Sequence, residues 1–461
     1  MSDYNCIDIE FPAVDFDLFY KAGTKTSNIY HAHLFTSKDE ITLKIFYNYN
    51  SFFGEKFATW PSSIYLNKFG SYIKANISPT QTDSDLHKVD FSDTKLISVL
   101  SSSKYYENGN NYIIVLIDSV KLYFKKNEDK CNTGEFYLDN KGFRVIQPFY
   151  GIFTPKSFNK NEGKFEINRK KGFNKSYKLD KSKFRPEYYF YSKDRREDKT
   201  ASIIKEPRLL FKYQQGITED RAIFYGDVVL SLASFYYRVK IDYTHRKIYL
   251  PNTTIIIRNI EEPKLLDTHG NLFDFGINWD FNEYLKASCN NKTINNFTLL
   301  KKVITLFNQS LLVDNSSAFL IRYNIIEICD KQKNENKKKF KLALNTNLKK
   351  RKQENALAIL LETISSEEHE EFKLRWDNVQ TLLYTKPMKN QLISFFKSQN
   401  LDYENFPIAI KKLKRLRDDI THGSIDNVSQ DELKTANIQL YKICGILTLN
   451  LMGIKDWKYV P

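Results

Sequence analysis

The sequence predicts an α+β protein, with an N-terminal β-rich region of antiparallel sheet followed by a C-terminal all-α helical bundle. Up to about residue 290, runs of β-branched and aromatic residues alternate with turn residues. After residue 291, glycine becomes rare and apolar residues recur with a period near 3.6. The 461 residues suffice for two or three domains. We expect a β-rich domain at 1–155, a second β-rich or mixed segment at 156–290, separate from or continuous with the first, and the bundle at 291–461.

The strands of the N-terminal region are predicted from apolar runs and one candidate hairpin. The hairpin covers 236–250, where residues alternate around Thr244–Arg246. One segment differs, because Thr218 and Asp220 stand at the start of 218–235 and predict a helix there. The other strand-like runs are 41–49, 63–66, 112–124 and 253–260.

The helices of the C-terminal region are predicted from amphipathic spacing. Ser429 stands three residues before Glu432 at the start of 429–454, which is the pattern of a capping box. Two apolar stripes predict the first two helices: Phe297, Leu300, Val303, Ile304 and Phe307, then Phe319, Tyr323, Ile326 and Ile328. Further helical segments are 347–364, 376–384, 388–400 and 406–420.

Composition and missing motifs limit the classes of function. The acidic start lacks the features of a signal peptide, and the longest apolar stretches are too short to span a membrane. The five cysteines are scattered without CxxC spacing, which favours a reducing compartment over disulfides or zinc. Nucleotide-binding, α/β-hydrolase and zincin motifs are missing. We therefore expect a cytoplasmic protein with no membrane contact, no cofactor and no metal.

The formal net charge of +15 is concentrated in two short stretches. Lys156–Arg185 holds 11 Lys and Arg against 3 Asp and Glu, and Lys331–Lys352 holds 10 against 1. Concentrated positive charge is typical of proteins that bind polyanions. Solvated lysine-rich loops are the alternative interpretation.

One motif in the helical region carries chemistry. Arg417-Asp418-Asp419-Ile420-Thr421-His422-Gly423 stands at the end of one predicted helix, before the start of the last. The R-x4-H spacing in this context resembles the motif of the HEPN superfamily, whose helical bundles include many ribonucleases. A β-rich region ahead of such a bundle also resembles the layout of ApeA-type anti-phage proteins.

The resemblance implies a metal-independent endoribonuclease with Arg417, His422 and Asp418 as its catalytic residues. A guanidinium can hold a phosphate and stabilise its developing charge, and a neutral imidazole can take the proton of a ribose 2′-OH. We expect Asp418 to orient Arg417 or His422, and Thr421 to hydrogen-bond the substrate. Glu327 is a further acidic contributor. Phosphate contacts are predicted from Lys349, Lys350, Arg351 and Lys352.

The partners follow from the same resemblance. We expect RNA as substrate, with tRNA one candidate, and a homodimer through the helical bundle, because a composite cleft would supply a second histidine. The β-rich region would restrain the nuclease until it senses a phage-derived trigger, as in abortive infection. Two alternatives remain open: Arg417 paired with a carboxylate in a purely structural role, and a non-catalytic RNA- or protein-binding module on a HEPN-like scaffold.

Overall fold

The fold is that of an α+β protein with two compact units. The first contains residues 1–269 and 280–291, and the second contains residues 270–279 and 292–461. The computed structural model describes residues 7–20, 24–36, 40–47, 73–77, 86–90, 96–107, 110–125, 132–150, 155–159, 164–167, 175–195, 200–251, 253–259, 272–334, 346–383, 387–423 and 428–459. The predicted fold class, an antiparallel sheet region followed by a helical region, is confirmed at this level.

Fourteen of the strands in the described ranges form one antiparallel sheet in the first unit. Their order is β12-β13-β14-β9-β15-β16-β8-β5-β4-β1-β2-β3-β7-β6, so strands from both sides of residue 155 belong to the same sheet. The remaining two, β10 and β11, pair with each other. The strands are β1 Ile7–Tyr20, β2 Thr24–Thr36, β3 Ile41–Tyr47, β4 Ile73–Ile77, β5 Leu86–Asp90, β6 Leu96–Glu107, β7 Asn110–Ile117, β8 Ser119–Lys125, β9 Thr133–Leu138, β10 Pro155–Asn159, β11 Lys164–Ile167, β12 Tyr177–Leu179, β13 Ser182–Arg195, β14 Thr200–Tyr213, β15 Tyr243–Tyr249 and β16 Thr253–Asn259.

The predicted strand runs have different outcomes. The runs 41–49 and 253–260 correspond to β3 and β16. The run 112–124 is divided at Asp118 into β7 and β8, which pair with different neighbours. The run 63–66 lies outside the described residues.

The predicted hairpin at 236–250 is wrong. Helix α2, Glu219–Tyr237, extends into this segment, and Arg238 ends it in the left-handed region at φ +55°. Tyr236 and Tyr237 remain helical because their rings pack against Phe281 of the same unit, with centroids 5.1 and 5.0 Å apart. The rest of the segment forms only β15, which pairs with β9 and β16.

Helix α2 begins as predicted and lies on one face of the sheet. Thr218 caps it, its Oγ1 accepting a hydrogen bond from the backbone N–H of Arg221. Gly226 faces Phe136 of β9 so closely that a Cβ at this position would overlap the ring. The helix therefore approaches the sheet through a glycine, and aromatic residues fill the remaining interface.

The other face of β9, β13 and β14 carries a buried polar cluster. Glu187, Arg208 and Tyr137 are neighbours in register across the three strands. Arg208 Nε donates to Glu187 Oε1 at 2.7 Å, and its Nη1 lies 3.3 Å from both Glu135 Oε1 and the Tyr137 hydroxyl. The guanidinium also stacks 4.7 Å from the Tyr189 ring centroid. All three nitrogens of the Arg208 guanidinium therefore contact carboxylates of the protein.

In chain order, α1 is Gly142–Tyr150 and α3, in the first unit, is Phe281–Ser288; the later helices are α4 Asn291–Asn295, α5 Phe297–Gln309, α6 Asn315–Asn334, α7 Thr346–Leu361, α8 His369–Leu383, α9 Met388–Ser398, α10 Ile410–Thr421 and α11 Gln430–Met452. The helical unit is built around α11, which buries residues along most of its length. Helices α5 and α6 pack against it, and all five residues of the first predicted stripe are buried.

The last helix starts where the sequence predicts, but its capping box does not form. Ser429 occupies the cap position without a side-chain hydrogen bond to the helix. Glu432, the other half of the box, instead forms an ion pair with Lys412 of α10, with Nζ and Oε1 2.9 Å apart. A tertiary ion pair thus replaces the predicted hydrogen bonds of the capping box.

Candidate functional site

Helix α10 is amphipathic and presents the motif at its C-terminal end. Ile410, Leu413, Leu416 and Ile420 are buried, and the helix packs on α6 and α9. Its remaining surface is rich in exposed lysine and arginine. The alternation of apolar and basic residues therefore fixes which side of α10 faces the bundle and which faces solvent.

The helix ends at the motif as the sequence predicts. Thr421 is its last residue, and the N–H of His422 donates to the Asp418 carbonyl at 3.0 Å. Gly423 follows with φ +78°, and a Cβ there would meet nothing within 4 Å. Glycine is therefore needed at this position for its backbone conformation and not for packing. His422 is left exposed at the carboxyl end of a helix.

Arg417 lies between two carboxylates at the edge of the buried face. Its Nη1 donates to Asp418 Oδ1 at 3.1 Å, and its Nη2 lies 4.0 Å from Glu327 Oε1 on α6. The side chains of Arg417 and Asp418 are each 36% exposed, and that of Glu327 is 21% exposed. Lys414, one turn earlier on α10, lies 3.6 Å from Asp418 Oδ2. The arginine is thus oriented by weak contacts while solvent still reaches it.

Thr421 is attached to the same turn of helix. Its Oγ1 donates to the Arg417 carbonyl at 2.7 Å, as threonines near the end of a helix often do. The hydroxyl proton is therefore used within the helix, and the oxygen lone pairs are the part of Thr421 that a substrate donor could reach.

Tyr323 is a neighbour of this cluster that was predicted only as a core residue. It is buried on α6 one turn before Glu327, and its hydroxyl donates to Met388 Sδ at 4.0 Å. Burial, with the nearby Glu327 carboxylate, raises the pKa of Tyr323 to about 12, although Arg417 acts in the opposite direction. The i, i+4 spacing of Tyr323 and Glu327 is the sequence signal that places both on one side of α6.

The predicted phosphate-binding run lies on a different element. Lys349, Lys350, Arg351 and Lys352 are in the first turns of α7, which packs on α8, whereas α10 packs on α6 and α9. Three of these side chains are exposed, and Lys350 lies 4.0 Å from Glu354. The structure therefore brings Arg417, Asp418, Glu327 and Thr421 together and places the basic run on a separate helical pair.

The arrangement limits the chemistry that the cluster can perform. A guanidinium with weak carboxylate contacts and partial exposure can exchange one of them for a phosphate. An imidazole on the exposed end of the same helix can accept or donate a proton. Arg417 and His422 are five residues apart in the sequence, and the turn at Gly423 ends the helix that presents them.

Two further findings concern metals and membranes. In the part of the chain that the structure describes, no group of three or more His, Cys, Asp or Glu side chains is arranged to hold a metal ion. No helix within the described ranges is both long enough and apolar enough to cross a membrane.

Comparisons with family models, with curated proteins and with solved structures each gave no match to this chain.

Proposed function

We propose that this protein is a metal-independent endoribonuclease of HEPN type, with its active site at the carboxyl end of α10. The observation that carries the proposal is the half-exposed Arg417, held between Asp418 and Glu327, on the last turn before the exposed His422. In this proposal Arg417 holds the scissile phosphate and His422 takes the proton from the adjacent 2′-OH. The products are a 2′,3′-cyclic phosphate and a 5′-OH.

The remaining roles follow from the geometry of the same helix. Asp418 and Glu327 orient the guanidinium, and the exposed Lys414 stands beside Asp418 for a phosphate contact. A second histidine, from a second copy of the chain, gives a proton to the leaving 5′-oxygen as the phosphorus–oxygen bond breaks. The phosphate contacts predicted for Lys349–Lys352 stay a prediction.

The proposed biological role is anti-phage defence, with the β-rich region restraining the nuclease until a trigger is present. Residues 270–279 belong to the helical unit, where Tyr441 donates to Asp274 and Phe275 packs on Tyr441. A test of restraint therefore compares the full chain with a fragment of residues 270–461. We expect the fragment to be the more active. A fragment that dimerises but never cleaves counts against restraint.

Cleavage is tested with total RNA or tRNA in EDTA. We expect Arg417→Ala and His422→Ala each to abolish cleavage by the intact chain. Arg415→Ala is the matched control, because Arg415 is also an arginine of α10, 78% exposed and paired within the helix to Asp419. Cleavage that survives both substitutions, or that requires added metal, refutes the proposal.

A second candidate function is a non-catalytic RNA- or protein-binding module. The pairing of Arg417 with Asp418 and Glu327 favours it, because a paired arginine needs no substrate to explain its position. Salt-sensitive RNA binding by the wild-type chain without any cleavage would support this function over the first.

A further inference from the structure

Helices α7 and α8 form a hairpin within the helical unit. Residues 362–368 connect them, and the two helices pack on each other. His369 Nε2 lies 3.1 Å from the Ile364 carbonyl and closes the tip. The short connection and the mutual packing indicate an antiparallel pair.

The hairpin carries many large apolar side chains but no core. Among its residues whose side chains the structure describes, none is buried, and Ile359 and Leu374 are 64% and 69% exposed. Two helices of this length cannot enclose a core by themselves and are marginally stable in water. The partly or fully exposed large apolar residues are Leu357, Ile359, Leu360, Leu361, Phe372, Leu374, Trp376 and Val379.

Net charge differs in sign between the two ends of the hairpin, with Glu354 at the basic end and Lys373 paired to Glu370 at the acidic tip. Lys349–Lys352 makes the open end basic, and a row of glutamates makes the tip acidic. The two ends are about 20 Å apart along α7, at about 1.5 Å per residue. The basic turn also stands at the amino end of α7, where the helix dipole disfavours cations. The acidic residues of the tip are Glu362, Glu367, Glu368, Glu370 and Glu371.

We propose that the α7–α8 hairpin is the surface on which two copies of this chain dimerise, packed antiparallel about a twofold axis. A twofold axis brings each surface against itself in reverse, so the basic end of one hairpin meets the acidic tip of the other, twice. The apolar side chains between the ends then pack into a four-helix core. A parallel arrangement would place like charges together.

This inference names the contact surface of the homodimer in the proposed function, and it does not require cleavage. It gives the basic run of α7 a different partner from the one predicted from sequence. Lys350, Arg351 and Lys352 contact glutamates of the second copy, and RNA binding by this run becomes a competing outcome.

The test reverses charge at each end of the hairpin in the full chain, on a His422→Ala background, and measures mass by sedimentation equilibrium without RNA. One variant carries Lys350→Glu, Arg351→Glu and Lys352→Glu. The other carries Glu367→Lys, Glu368→Lys and Glu371→Lys. We expect each alone to be monomeric, with the dimer dissociation constant raised at least about 100-fold.

An equimolar mixture of the two variants is the decisive arm. Each reversed end then faces its complement, so a heterodimer should form with an affinity near that of the wild type. Lys302→Glu with Lys434→Glu is the control, because both lysines are exposed on α5 and α11, outside the hairpin. The control should remain dimeric, and circular dichroism checks that all variants fold.

Several results would overturn the inference. A wild-type chain that is monomeric at every concentration means that something else covers the hairpin. A dimer that persists in both reversed variants places the second copy elsewhere. Monomers that fail to pair on mixing exclude the antiparallel contact, and a basic-end variant that still dimerises but loses RNA binding assigns the run to RNA. Cleavage is assayed separately on the His422 chain, so either proposal can fail alone.

Discussion

Two arginines of this molecule, Arg208 in the sheet and Arg417 at the end of α10, each lie between two carboxylates, yet their surroundings differ. Arg208 is 14% exposed, donates to Glu187 at 2.7 Å and contacts Tyr137 and Tyr189 as well. Arg417 is 36% exposed, with one bond of 3.1 Å to the next residue and a second carboxylate at 4.0 Å.

Pairing with carboxylates therefore does not by itself separate a structural arginine from a functional one. A buried guanidinium whose three nitrogens each contact a carboxylate is not available to a ligand, and removing it would leave those buried carboxylates with fewer partners. A partly exposed guanidinium with long contacts loses little on exchanging a carboxylate for a phosphate.

Replacing each arginine by methionine should separate the two regions most clearly. Arg208→Met should lower the free energy of unfolding by about 3 kcal/mol, because Glu187 and Glu135 would stay buried with only Arg185 and the Tyr137 hydroxyl as partners. Arg417→Met should lower it by no more than about 1 kcal/mol, because its contacts are solvated. Urea unfolding of both variants measures the difference, and equal losses would contradict the distinction.

Changing Arg417 to lysine should affect cleavage more than stability. Lysine keeps the charge but cannot hold a phosphate with two parallel hydrogen bonds. We expect the cleavage rate to fall about 100-fold or more, the size seen when one donor to a developing oxyanion is lost. Single-turnover rates on tRNA provide the measurement, with Arg415→Lys as the control. Full activity in Arg417→Lys would leave Arg417 as only a source of positive charge.

The sequence predicted the parts of this site that depend on local physics. The stripe of Ile410, Leu413, Leu416 and Ile420 orients α10, and Gly423 ends it, because helical periodicity and left-handed backbone are properties of neighbouring residues. The same holds for Thr218 at the start of α2.

What the sequence missed depends on contacts between distant residues. The order of the sheet strands and the wrong hairpin at 236–250 follow from non-local pairing, and Glu432 leaves its capping box for Lys412. Tyr323 entered the site only through the packing of α6 on α10. From the sequence, α7 and α8 were predicted as ordinary amphipathic helices and not as an exposed apolar hairpin. Periodicity does not reveal what covers a helix face.

Alkaline pH should reveal Tyr323 as part of the site. Its pKa of about 12 in the folded chain lies above the unfolded value near 10. The stability that this tyrosine contributes is therefore fully present below about pH 10 and is lost as pH rises through 12. When the pH rises from about 9 to 12, the free energy of unfolding should fall in both proteins. The fall should be about 1–2 kcal/mol smaller in Tyr323→Phe than in the wild type. Urea unfolding across this range tests it, and parallel losses would show that Tyr323 does not titrate there.

The smallest expected change in stability is that of Asp418→Asn. Asp418 contacts Arg417 and Lys414, but all three side chains are at least 36% exposed. The free energy of unfolding should therefore change by no more than about 0.5 kcal/mol. Cleavage should fall, though less than in Arg417→Lys, because Glu327 still holds the guanidinium from α6. Glu187→Gln is the counterpart at the buried cluster and should cost more stability. If Asp418→Asn instead raised the cleavage rate, Asp418 would compete with the phosphate for Arg417. Glu327 alone would then orient the guanidinium.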